Sequence, residues 1–233
     1  MSYSAAIVLN RIRRELMIGG MAGVQHVDRR LPPYIRVNPL LIEHKHRTFL
    51  DLRGPKLGAR LFRDDLDFEN NLVSIEEFEA TDIRPRFFNE VFGLGLPLKE
   101  TSEFKFHVET IARRGRSWKD LSSEDEVLRF LERKVRIFEE IRRVGEVRTS
   151  EEVSGKRRDE IGCLIDHRGR LVKGHNGNNR FSIARMLRLP SIPVHIAAID
   201  AGQMAVVKTF KGLTPIAKIN RYLQSVQEKY ARQ

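Results

Sequence analysis

The stretch Ile161 to Ile196, IGCLIDHRGRLVKGHNGNNRFSIARMLRLPSIPVHI, decides how the chain is read, because it holds a strand, a turn, a second strand, a glycine-rich loop, a helix and a further strand in succession. Ile161, Cys163 and Ile165 form a half-alternating run, His167-Arg168-Gly169-Arg170 supplies a turn, and Leu171 and Val172 resume the apolar pattern, which predicts a hairpin. The loop Gly174-His175-Asn176-Gly177-Asn178-Asn179 follows, with two glycines free to take positive φ and three asparagines that tolerate the left-handed region better than most residues. From Arg180 to Leu187 the spacing turns helical, with Ile183 and Leu187 four apart; Leu189-Pro190 closes the helix and Ile192-Pro193-Val194 opens a last strand. A flexible loop therefore ends on a helix N-terminus.

The first amides of a helix have no partner within it, and with the positive end of the helix dipole they form a site for an anion. Arg180, in the first turn, would add a bidentate guanidinium to the same oxygens. Lys173 and His175 are placed to add charge or hydrogen bonds nearby. The same residues fit a tight turn at Gly177, capping asparagines and a solvated Arg180, and spacing alone does not choose between the two.

Glu140-Ile141-Arg142-Arg143-Val144-Gly145, then the hairpin, then Gly177-Asn178-Asn179-Arg180, an alanine-bearing helix and Ile192-Pro193-Val194 run in the order of motifs of the ParB and sulfiredoxin superfamily, which the chain resembles over roughly residues 124 to 199. It is most similar there to uncharacterised ParB-like proteins with a G-x-H-R loop and an I-P-V strand, a run that reads GNNRFSIARMLRLPSIPV here. The departures are chemical. Asn179 stands where the motif histidine falls, Asn176 where an aspartate often precedes the glycine, and Asn178 removes the nucleophile of a sulfiredoxin. The E-N-x-x-R run expected after the I-P-V strand is missing from Val206 to Lys211, and no partition-type helix-turn-helix follows. What the resemblance implies is a phosphate-binding loop over Lys173, Gly174, His175, Asn176, Gly177, Asn178, Asn179 and Arg180, with ATP or CTP and Mg²⁺ as expected cofactors. By likeness to the serine kinase members, Glu140, Glu146 or Asp166 are the candidate catalytic carboxylates; as residues alone they read as surface carboxylates ahead of that role. No metal ligands are assigned.

The 233 residues suffice for a core, and 41% hydrophobic with 31% charged residues is an ordinary globular composition. The net charge of +11 favours polyanions, nucleotides or acidic partners. A single cysteine excludes an internal disulfide and suits a reducing, cytoplasmic compartment; Cys163, in a strand, reads as a buried small hydrophobe ahead of a reactive thiol. No apolar window is long enough to span a bilayer. Ala6 to Leu16 reads as an amphipathic helix that docks on the body ahead of one that lies on a membrane surface, and Gly19-Gly20 stops it.

Elsewhere, Tyr34 to Val37 suits a short strand, and His44, Lys45, His46 and Arg47 form a positive cluster in which the two histidines lack the companions of a metal site. Asp64, Asp65 and Asp67 suit a solvated loop ahead of a cation site. Gly93 to Pro97 marks a seam between an N-terminal extension, residues 1–97, and the domain at 98–233. Thr101 to Arg114 is helical through Phe104, Val108 and Ile111. Arg113, Arg114, Arg116 and Lys119 then surround Trp118, a group that suits nucleic acid but that dipole compensation and a core anchor explain first. Ser123 with Glu126 is a capping box, opening a helix to Val144 with Leu128, Leu131, Val135 and Phe138 as its buried stripe. Beyond Asp200 two helices follow, the second starting at Pro215, and the face Ile216, Ile219, Leu223, Val226, Tyr230 packs on the body or on another copy in an oligomer.

The expectation is an α+β fold: a small mixed ParB/sulfiredoxin-like sheet with flanking helices and a helical or irregular N-terminal extension. Its leading function is nucleotide binding, as an ATP-dependent phosphotransferase or nucleotide hydrolase. The alternatives are a nucleic-acid-binding module, which reads phosphates with the same loop and the two basic clusters, and a non-catalytic adaptor.

Overall fold

A computed structural model of the chain describes residues 34–47, 60–62, 66–149, 152–153, 160–174 and 176–231; the N-terminal amphipathic helix, Asp64, Asp65 and His175 lie outside them. In chain order the elements are β1 (Tyr34–Val37), β2 (His44–His46), β3 (Arg60–Phe62), α1 (Leu66–Asn70), β4 (Leu72–Ser74), α2 (Ile75–Thr81), α3 (Ile83–Phe88), α4 (Ser102–Arg114) and α5 (Glu124–Val144). Then come β5 (Gly162–Ile165), β6 (Leu171–Lys173), α6 (Asn178–Met186), β7 (Ile192–Asp200), α7 (Met204–Thr209) and α8 (Pro215–Ala231). The fold is α+β. Its open mixed sheet runs β1-β7-β5-β6-β2-β4, with β3 parallel to the far half of β7. Strands from before residue 93 and from after residue 97 thus share one sheet.

The expected hairpin forms, with Cys163 opposite Lys173, Leu164 opposite Val172 and Ile165 opposite Leu171. Its turn is organised by Asp166, whose carboxylate accepts from the Arg168 and Arg170 amides at 3.0 and 2.7 Å. Beyond the loop, β7 returns parallel to β5, with Ala197 passed over where the register shifts between Cys163 and Leu164. Alternate residues then face two cores. Cys163, Ile165, Leu171, Val194 and Ile196 join the large one beneath the helices, while Leu164, Val172 and Ala198 join a small one closed by Phe68 of α1.

The capping residues place the long helices. The Thr101 and Ser123 hydroxyls accept from the amides of Phe104 and Glu126, and Gly115 and Gly145 end α4 and α5 at φ 73° and 75°. The Glu126 carboxylate accepts from the amide and hydroxyl of Ser122, one residue beyond the position of the expected reciprocal bond. The buried faces differ from the apolar reading. On α5 the buried line is Val127, Leu131, Lys134, Phe138 and Ile141, and on α4 it includes Glu103 and His107. A charged pair, Glu103 with Lys134, therefore sits inside the helical layer at 1% and 3% exposure. The α8 face packs on this same body: Ile219, Leu223, Val226 and Tyr230 are buried, and the Asn38 amide donates to the Tyr230 carbonyl at 2.8 Å.

Two further expectations are corrected. Lys45 and His46 do not contribute to an open basic surface: both are buried, the lysine over Phe78 and the histidine against Phe68. Trp118 is not a core anchor, since 49% of it is exposed. Cys163 is fully buried, and burial pushes its thiol up to about 12 against the opposing pull of Lys173. A thiol reagent at about pH 8 is therefore expected to leave the native chain unmodified and to titrate one thiol in denaturant. Fast native labelling would mean that β5 opens readily. Among the described residues no helix is long and apolar enough to cross a membrane.

Candidate functional site

The loop after β6 is built by close backbone approach. The Gly174 amide donates to the Gly162 carbonyl at 2.8 Å, and the Gly162 amide to the Asn176 carbonyl at 3.4 Å, so the loop folds back over the start of β5. Gly177 follows at φ 72°, as the residue that caps α6. A Cβ there would lie 2.6 Å from Ile161 Cα and 2.8 Å from the Glu160 carbonyl, which no side chain could occupy. The helix therefore starts directly against residues 160 and 161.

Lys173, read as a charge offered to a ligand, is turned inward. It is fully buried, and its ammonium donates to the Gly174 carbonyl at 2.8 Å, the Asn176 carbonyl and Asn178 Oδ1 at 3.1 Å, so it fixes the loop from beneath. The remaining polar atoms of the first turn are differently placed. Asn178 Nδ2, Asn179 Oδ1 and Ser182 Oγ are buried without a hydrogen-bond partner, and no acceptor meets the Asn178 and Asn179 amides among the described residues. Asn176 is exposed.

Arg180 reaches sideways from this turn. Its guanidinium donates to the Arg148 carbonyl at 2.9 Å and lies 3.6 Å from the Glu160 carboxylate. It thereby ties the start of α6 to the segment after α5, which forms the wall of a cavity of about 250 Å³ lined by Arg36, Glu146, Val147, Arg148 and Glu152. Within it Arg148 Nε is 3.0 Å from Glu146 Oε1. Glu152 is held below the usual carboxylate range by hydrogen bonds from the Thr149 amide and hydroxyl, with Arg36 and Arg148 adding to the effect. Two guanidiniums and two carboxylates so close suit a small, strongly polar group. The volume falls below the roughly 300 to 1,000 Å³ of small-molecule pockets, so a phosphate fits and a whole nucleotide would extend past the walls.

The three carboxylates proposed for catalysis are scattered. Glu146 lies in the cavity wall. Glu140 is exposed along α5. Asp166 belongs to the hairpin turn at the other end of β5 from Gly162, roughly 13 Å away for four strand residues. There it is wholly buried, with Arg170 Nε at 2.6 Å, as Glu69 is met by Arg170 at 3.2 Å. Glu69, Asp166 and His167 bring ligand atoms within 4.8 Å of one another, but Arg170 pairs with both carboxylates and Arg168 lies 3.9 Å from Glu69, so the group is an ion-pair network. Reading by motif did not join Arg36, Arg148, Glu152 and Glu160 to Arg180, because no local pattern links them.

No family model, curated protein or solved structure matches this chain.

Proposed function

We propose that the chain binds the phosphate of a nucleotide at the start of α6, in the manner of the ParB-like proteins its motif order resembles, and acts as a nucleotide-dependent phosphotransferase or hydrolase. The observation that carries the reading is the unmet hydrogen-bonding capacity of the first turn: two backbone amides and the Asn178 side-chain amide, all donors, beside a cavity that carries Arg36 and Arg148. The order of helix, hairpin, loop, helix and parallel strand, with β5 beside β7, adds support. Arg180 then acts by holding the cavity wall against the loop, and Glu146 is the carboxylate best placed to take a proton from an acceptor. Mg²⁺ would share the phosphate charge.

Thermal shift tests this. ATP or CTP with Mg²⁺, at about a hundred times Kd, is expected to raise Tm by about 5–10 °C. Arg36→Gln removes an exposed guanidinium without touching the core and is expected to abolish the shift. If neither nucleotide moves Tm at millimolar concentration, the reading fails. Phosphate release in the same samples separates hydrolysis from binding alone.

A further inference from the structure

The loop between α4 and α5 displays the chain's only tryptophan. Trp118 is 49% exposed, yet its ring is held: it lies 4.7 Å from the half-buried Phe106 ring and 5.6 Å from His107, edge-on to the latter at 89°. The turn beneath it is closed at its base, where the Ser117 amide donates to the Leu121 carbonyl at 2.8 Å. It is also pinned to the helical layer, because Ser117 Oγ lies 2.7 Å from Nδ1 of the fully buried His107. Lys119 and Asp120 both take positive φ, 61° and 58°, a costly conformation for two successive side-chain-bearing residues. The chain thus accepts local strain to present a large aromatic ring to solvent on a rigid support.

The residues that flank the ring in sequence from the end of α4 are mostly cationic, with Asp120 the one carboxylate in the turn itself. Arg113, Arg114, Arg116 and Lys119 are all exposed, and none forms an ion pair among the described residues, in contrast to Arg47, Arg84, Arg142, Arg148 and Arg185. The acidic first turn of α5, Glu124 to Glu126, follows on the other side along the chain. A hydrophobic partner would not call for four unpaired cations, and a simple polyanion would not call for the ring. A ligand that combines a planar π-face with closely spaced phosphates satisfies both, and the face is open because the base is unpaired.

We infer that the Trp118 turn is a binding platform for single-stranded nucleic acid, with one base stacked on the indole and the backbone phosphates carried by Arg113, Arg114, Arg116 and Lys119. It stands apart from the proposed nucleotide site. Trp118 precedes α5 and the cavity follows it, and a helix of 21 residues separates its ends by about 30 Å.

The lone tryptophan makes the test direct. Titrating the full chain with a twelve-residue oligothymidylate at 50 mM salt is expected to quench the indole emission. Raising salt to 200 mM should weaken binding by roughly fifty-fold if about four phosphates are neutralised. Trp118→Ala, followed with a labelled oligonucleotide, should lose tenfold or more in affinity, within the range that one stacked base supplies. Because that variant also touches Phe106, Arg114→Gln with Arg116→Gln provides a second: these side chains are exposed, and removing both should lower the salt slope by about 1.4. Arg36→Gln should leave the titration unchanged, which separates this result from the nucleotide reading. Absence of quenching at 50 mM salt, equal quenching by polyglutamate, tighter binding to duplex than to single strands, or unaltered affinity in Trp118→Ala would each overturn the proposal.

Discussion

Gly177→Ala is expected to destabilise the chain by about 2–4 kcal/mol, as the sum of a left-handed backbone penalty and overpacking against main chain. The new methyl would meet Ile161 Cα at 2.6 Å, and backbone cannot step aside as the tip of a long side chain can. Gly115→Ala and Gly145→Ala are the controls. Both glycines have nearly the same φ, 73° and 75°, but a Cβ there meets nothing within 4 Å, so each should cost only about 1 kcal/mol. Denaturant midpoints at constant m-value measure the difference. With about 5–15 kcal/mol available to a typical domain, the Gly177 variant should still fold, with the start of α6 pushed off residues 160 and 161. Equal costs at all three positions would show that the loop does not rest on the chain beneath it.

The second large effect is expected at the buried pair in the helical layer. Glu103 accepts from the Lys134 ammonium, which also lies 4.2 Å from the centre of the Phe87 ring and 5.1 Å from that of Phe88. Burial holds Lys134 below its ordinary pKa, and Glu103 opposes that shift. Glu103→Leu leaves a buried ammonium without its hydrogen-bonded carboxylate and should cost about 3–5 kcal/mol. The double variant Glu103→Leu with Lys134→Met removes both charges while keeping volume, and it should be neutral or more stable by about 1–4 kcal/mol. His107 complicates the pocket, since its Nε2 is 3.8 Å from Glu103 and has no hydrogen-bond partner. A double-mutant cycle at positions 103 and 134, repeated in a His107→Gln background, isolates the lysine term. A Glu103→Leu variant as stable as the native chain would mean that water reaches Lys134.

The elements around the loop were legible because their periods change sharply. Alternation at Ile161 to Ile165, glycines at 174 and 177 and a proline after Leu189 mark hairpin, loop, helix and strand within a residue or two of where they fall. The apolar spacing from Phe104 to Ile111, the capping residue Ser123 and the stop at Gly145 did the same for the long helices. The segment from 66 to 88 was missed, because its three helices have seven residues or fewer and never complete a second amphipathic turn. One signal was there: Ser74 followed by Glu77, with the Ser74 hydroxyl accepting from the Glu77 amide at 3.0 Å. Hydropathy could not reveal Glu103, His107 and Lys134 as buried, since their burial depends on partners from different helices. The site was legible only in its loop. Its cavity joins Arg36 from the first strand to Glu146, Arg148 and Glu152, and a pattern that looks a few residues ahead cannot bring such positions together.

The sheet's strand order also bears on how the chain is made. Among the described residues β1 pairs only with β7, and β2 finds one of its two neighbours only in β6, so two early strands wait until the distant β6 and β7 have been synthesised. During synthesis their edges stay uncovered, which invites association between nascent chains, and the high contact order of the closing step places folding among slower topologies. Yield in a heterologous host should then respond more to translation speed and holding chaperones than to surface substitutions.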